Sequence, residues 1–125
     1  MDADTILLDC HSFNNEVAPD IDICIGFNED WSKPDVGIIE EISNIFKAEG
    51  YKVAFNKPYG NSITPETISP EANCKYKSLM IEVNKKTYLR CGIEINVDGR
   101  YAPRLCRTIR KVYDYLLGET NNGST

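Results

Sequence analysis

His11 is the only histidine in the 125-residue chain, so any imidazole chemistry must pass through it. It lies at the end of an apolar run, Thr5 to Cys10, and in parallel sheets ligands gather beyond the carboxyl ends of strands. Strand alternation puts Asp9 and His11 on one side and Cys10 on the other. A Cys10–His11 nucleophile pair is therefore disfavoured. A lone histidine has two readings, a structural residue or one member of a ligand set. Alone it does not make a metal site, since catalytic zinc takes three protein ligands.

Glu82 is the second candidate. It interrupts the apolar segment Ser78 to Asn84. Leu79, Ile81 and Val83 share one face of that strand, and Met80, Glu82 and Asn84 share the other. A carboxylate inside a buried strand is costly unless it is paired or has a task. One reading is an edge strand whose polar face meets water, with Asn84 softening the cost. The other is a general acid/base whose proton affinity is set by burial. The third candidate is the segment Asn56 to Asn61, with Asn56, Pro58, Tyr59 and Gly60, which also follows a strand. By itself it reads equally well as a turn.

The elements that must position these residues form an alternating α/β pattern. Thr5–Cys10 is apolar nearly throughout, which suits a strand covered on both faces. Ile21–Gly26 alternates and is β-branched, so it reads as a second strand. Ser32 is the expected N-cap of a helix, with Pro34 in the first turn and Asp35 three residues on. Ile39, Ile42 and Phe46 give that helix an apolar stripe, and Gly50 ends it. Residues 51–56 and 78–84 are two further expected strands. Residues 57–77 carry Pro58, Gly60, Pro65 and Pro70 without periodicity, the mark of a long loop. Residues 85–100 are ambiguous apart from a turn at Asp98-Gly99. The last helix is expected from about Tyr101 to Leu117, docking through Leu105, Ile109, Val112 and Leu116. The organisation is one α/β domain over residues 1–117, followed by a flexible polar tail, 118–125. Its sheet is expected to be mostly parallel with flanking helices.

Composition narrows the function classes. The apolar fraction is 42% and the net charge is −5, ordinary for a folded domain and poor for nucleic-acid binding. Arg104, Arg107, Arg110 and Lys111 fall on the last helix, where that spacing reads as a solvated face. The chain has five cysteines, Cys10, Cys24, Cys74, Cys91 and Cys106, and none is in a CxxC pair. That disfavours a disulfide framework or a cysteine zinc site and is consistent with reduced, cytoplasmic thiols. No apolar segment has the length of a membrane span. No signal peptide is expected from the opening Met-Asp-Ala-Asp.

Taken in order, the elements Asp9, His11, Ser12 and Phe13 (DxHSF), Asp20 to Gly26, Asn56 to Gly60 (NxPYG), and Ile81 to Asn84 with Tyr88 and Leu89 resemble the N-formylglutamate amidohydrolase family. The resemblance covers most of residues 5–90 and corresponds to the C-terminal part of such a domain. It implies a phosphorylase/hydrolase-like fold similar to that of the zinc carboxypeptidases. It implies His11 as a zinc ligand, Glu82 as the general base, Ser12 and Phe13 shaping the substrate site, and Asn56 and Tyr59 in the loop over the substrate. The implied cofactor is zinc, and the implied partner is a small N-acyl amino acid. Family members carry two more ligands, a histidine and an acidic residue, well before the DxHSF element. Ten residues precede His11 here and none is histidine. Gly60-Asn61 also stands where the family has a richer glycine turn, and Asn84-Lys85 where an arginine is common. Two functions follow as expectations. One is a zinc-dependent amidohydrolase, incomplete as this chain and holding zinc weakly if at all. The alternative is a non-catalytic shortened relative serving as a binding or scaffold domain.

Overall fold

A computed structural model of the chain describes residues 5–62, 76–89 and 102–123. Residues 63–75 of the expected loop and, of the ambiguous stretch 85–100, residues 90–100 with the Asp98-Gly99 turn lie outside these residues. The described elements, in chain order, are β1 (Thr5–Phe13), β2 (Ile23–Gly26), α1 (Val36–Ala48), β3 (Val53–Phe55), β4 (Tyr76–Asn84) and α2 (Ala102–Gly123). Short 3-10 turns at Asn15–Val17 and Lys85–Thr87 follow β1 and β4.

The four strands form one sheet in the order β1-β4-β2-β3. β1 pairs parallel with β4, and β2 parallel with β3; the central pairing of β2 with β4 is antiparallel. The sheet is thus mostly parallel, as expected, but its two halves run in opposite directions. β4 is an interior strand, not an edge.

Both helices lie on one face, where the core sits. Ile39, Ile42 and Phe46 of α1 and Leu105, Val112 and Leu116 of α2 join Ile23, Ile25, Leu79, Ile81 and Val83 of the sheet. Period-two spacing on the strands and the i, i+3/i+4 spacing on the helices converge on the same layer. Val112 is 1% exposed, whereas Ile109 only packs partly against the cluster, and Thr108 is buried in its place. The Thr108 hydroxyl bonds back to the Arg104 carbonyl at 2.9 Å, so its polar atom is satisfied inside the layer.

Several local expectations shift. Asp35, not Ser32, is the N-cap of α1, and it makes no side-chain cap bond. Ser32 instead donates its N–H and its hydroxyl to Asp30 Oδ1, at 2.8 and 2.6 Å, closing a turn before the helix. Gly50 takes φ +88° just past the helix end, a conformation that glycine adopts without penalty. α2 continues to Gly123, so the segment from Gly118, read from sequence as a polar tail, enters the helix. β1 continues to Phe13 rather than stopping at Cys10, with consequences for the site. Among the described residues no helix is long and apolar enough to cross a membrane.

Candidate functional site

The sheet face away from the helices carries the polar candidates. His11 is the register partner of Glu82 across β1 and β4, and Glu82 is in turn the partner of Cys24 across β4 and β2. Register partners point to the same side, so His11, Glu82 and Cys24 form one transverse row, with strands about 4.8 Å apart. Asp9 and Met80 make the row on one side of it, and Phe13 and Asn84 the row on the other.

The expected meeting of His11 with Glu82 is present, and both stand two residues before the carboxyl ends of the parallel neighbours β1 and β4. The Asn56–Tyr59 loop does not arrive from that same edge, because β3 runs against β1 and β4. Asn56 follows β3 at the sheet edge where β4 begins. Residues 56–62 then cross back over the polar face. The Tyr59 ring meets Phe13 edge-on at 6.3 Å. The Cys24 thiol donates to the Tyr59 carbonyl at 3.1 Å, and the Phe27 N–H donates to Asn56 Oδ1 at 3.0 Å. Asn56 and Asn61 both adopt positive φ, which asparagine tolerates better than most residues.

Electrostatics separates the two chemical candidates. Glu82 is 6% exposed. Burial raises its pKa above the usual carboxylate range, the charge of His11 pulls it down, and that of Asp9 pushes it up. The His11 Nε2 donates to Asp9 Oδ2 at 2.8 Å, and that bond and charge raise the imidazole pKa, with a smaller contribution from Glu82. His11 remains 49% exposed at its side chain. A buried carboxylate beside an exposed imidazole can accept and return a proton within reach of solvent. The Cys24 thiol is buried, and burial pushes its pKa up despite nearby backbone donors, so it is a poor nucleophile as it stands.

The remaining candidates divide. Phe13 is on the polar face and buried, Tyr59 is half-exposed beside it, and Asn56 anchors the loop. Ser12 is displaced: because β1 runs on through Phe13, alternation turns its side chain to the opposite face from His11. Asn84 does not serve Glu82. Its amide donates to Asn15 Oδ1 and the Ile21 carbonyl, both at 3.0 Å, and its oxygen accepts from the Lys86 N–H at 2.9 Å. The sequence reading missed Cys24 beneath the loop and Asn28 beside it. Alternation in β2 gave a signal for the first; a loop-to-loop bond such as Asn28 makes leaves no pattern in sequence.

Among the described residues no three His, Cys, Asp or Glu side chains come together as a metal site. His11 is the only imidazole, and one of its two nitrogens is engaged by Asp9. This donor set does not fit a catalytic zinc, which needs three protein ligands.

Comparison with known proteins gives the family and the fold. The family model for N-formylglutamate amidohydrolase matches residues 2–89. The N-formylglutamate amidohydrolase of Ralstonia eutropha JMP134 superposes with a TM-score of 0.73 at 20% identity, over 96% of this chain and 46% of that one. The chain therefore spans a little under half the length of that enzyme, and the likeness is one of fold. Among curated proteins nothing matches.

Proposed function

This chain belongs to the N-formylglutamate amidohydrolase family, and from that membership we propose that it carries the acid–base part of a site that hydrolyses an N-acyl amino acid such as N-formylglutamate. The observation that supports the reading is Glu82, a carboxylate buried on an interior strand with its proton affinity raised, in register with His11. In amide hydrolysis Glu82 takes a proton from the attacking water. The C–N bond breaks, and the same carboxyl returns the proton to the leaving amine. A pKa raised by burial suits the second half of that cycle. Asp9 holds the His11 ring in place, and Phe13 and Tyr59 supply an apolar wall for the substrate.

Zinc-dependent turnover would need donors beyond those that the described residues bring together. The same shortage favours the second reading, a non-catalytic relative that keeps the fold and binds without turnover. We propose that the 125-residue chain purifies without stoichiometric zinc, folds nonetheless, and does not hydrolyse N-formyl-L-glutamate by itself. Elemental analysis and a calorimetric zinc titration of wild type and His11→Ala test the first point. One tightly held zinc per chain, lost in the variant, would refute it and point to a working hydrolase. An NMR titration with N-formyl-L-glutamate tests the site, with shifts expected at His11, Tyr59 and Glu82. Shifts at none of the three would remove the amidohydrolase reading.

A further inference from the structure

The loop over the polar face has two ends held in different ways. At its start Asn56 continues directly from β3, and its N–H donates to the Ile25 carbonyl at 2.9 Å. At its far end Ser62 is held by a side chain. There the Asn28 side chain makes both backbone bonds: Nδ2 donates to the Ser62 carbonyl at 3.0 Å, and Oδ1 accepts from the Ser62 N–H at 3.0 Å. One carboxamide thus takes the place of a neighbouring strand. The Ser78 hydroxyl adds a bond to the Ser62 hydroxyl at 2.5 Å. Between the ends, the Cys24 thiol, a weak donor, donates to the Tyr59 carbonyl, and backbone N–H groups of Asn56, Lys57 and Tyr59 lie close to the same sulfur. The loop backbone also lies so close to β2 that a Cβ on Gly26 would stand 2.7 Å from the Asn61 carbonyl.

We propose that Asn28 is a positioning residue for this site: its paired bonds to Ser62 hold the 56–62 loop closed over Cys24 and set the Tyr59 ring against Phe13. The assignment rests on the reading of Tyr59 as a substrate-facing residue. Asn28 acts through the loop, by its bonds to Ser62.

Cys24 is a built-in reporter, since it is fully buried beneath the loop. Thiol alkylation of the full chain, mapped to Cys24 by peptide mass spectrometry, reads loop opening. Asn28→Ala removes both bonds to Ser62 together with the 3.1 Å bond from Asn28 Nδ2 to the Ser32 hydroxyl, and should speed Cys24 labelling roughly tenfold or more. Asn28→Asp keeps the acceptor for the Ser62 N–H and loses the donor, so its rate should fall between. In protein carrying 3-fluorotyrosine, the Tyr59 resonance, assigned by its loss in Tyr59→Phe, should move in Asn28→Ala and partly return in Asn28→Asp. Equal Cys24 labelling in wild type and Asn28→Ala would overturn the proposal. Should Asn28→Ala fail to fold, hydrogen exchange in wild type decides. The Ser62 amide should be protected, and exchange at the rate of an unstructured amide would equally overturn it. None of these readouts uses a substrate, so failure of the N-formyl-L-glutamate titration leaves their outcome separate.

Discussion

His11 and Glu82 are direct register partners on parallel neighbours β1 and β4, yet one side chain is half in solvent and the other is buried. The difference arises from strand order. β1 is flanked by β4 alone among the described strands, whereas β4 lies between β1 and β2 and under the returning loop. The same row therefore offers a solvated imidazole and a desolvated carboxylate.

That asymmetry gives a pH dependence. The Glu82 carboxyl has its folded pKa raised above an ordinary value near 4.5, chiefly by burial. A raised folded value means the fold favours the protonated form. Its stabilising contribution is complete below pH 4.5 and is lost as pH rises through the folded value. Glu82→Gln, which is neutral at every pH and similar in shape, should match wild type in urea unfolding at pH 4 and exceed it at pH 7. A wild type that is the more stable of the two at pH 7 would show that a partner, not burial, governs Glu82.

Much of the fold could be read because burial imposes periods on sequence. The strands at Thr5, Ile23 and Leu79 and the Ile39, Ile42, Phe46 stripe follow directly from such periods. Strand direction has no such signature. The antiparallel joint between β2 and β4 depends on how the chain crosses after β3, and no run of residues marks it. The same limit affected the site. His11 and Glu82 were identified by chemistry and family motif. Ser12 enters through the motif alone, and a motif does not say where β1 ends: with the strand running on to Phe13, alternation turns Ser12 to the opposite face from His11.

Core packing along α2 supplies a second prediction. Leu116 is 6% exposed, and Leu116→Ala should cost about 2–5 kcal/mol in chemical unfolding. Ile109, only partly buried, should cost less than about 2 kcal/mol when cut to alanine. Equal losses at the two positions would mean that the helix is rotated from the orientation described.

Asn84 ties three segments together and is itself fully buried. Its amide holds the turn after β1 and the approach to β2, and its oxygen caps the turn at Lys85–Thr87. Asn84→Leu keeps much of the volume but leaves the Ile21 carbonyl and the Lys86 N–H without this partner. Each such buried orphan costs about 1–3 kcal/mol, so a loss of several kcal/mol is expected from thermal or urea unfolding. Asn84→Asp keeps the acceptor for Lys86 and loses the donor, and should retain part of that stability. A variant series with no loss would show that solvent substitutes freely at this position.

Gly26 provides the sharpest steric test of how the loop lies. A methyl group there would meet Met80 Cε at 2.5 Å and the Asn61 carbonyl oxygen at 2.7 Å, both closer than real contacts allow. The methionine is flexible and can swing aside. The Asn61 carbonyl belongs to the backbone, so relief on that side requires the loop itself to lift. Lifting it lengthens the Cys24–Tyr59 bond and separates Tyr59 from Phe13, while the helix-side core stays in place. Gly26→Ala should therefore keep the far-ultraviolet dichroism of the wild type and still expose Cys24 to alkylation. Its Tyr59 fluorine resonance should shift in the same direction as in Asn28→Ala, since both changes release the same segment. Combining the two substitutions should add little to Cys24 labelling beyond the larger single effect, because a loop already lifted cannot be released again. Fully additive effects would show that Gly26 and Asn28 act on different segments, contrary to the single crossing described for residues 56–62.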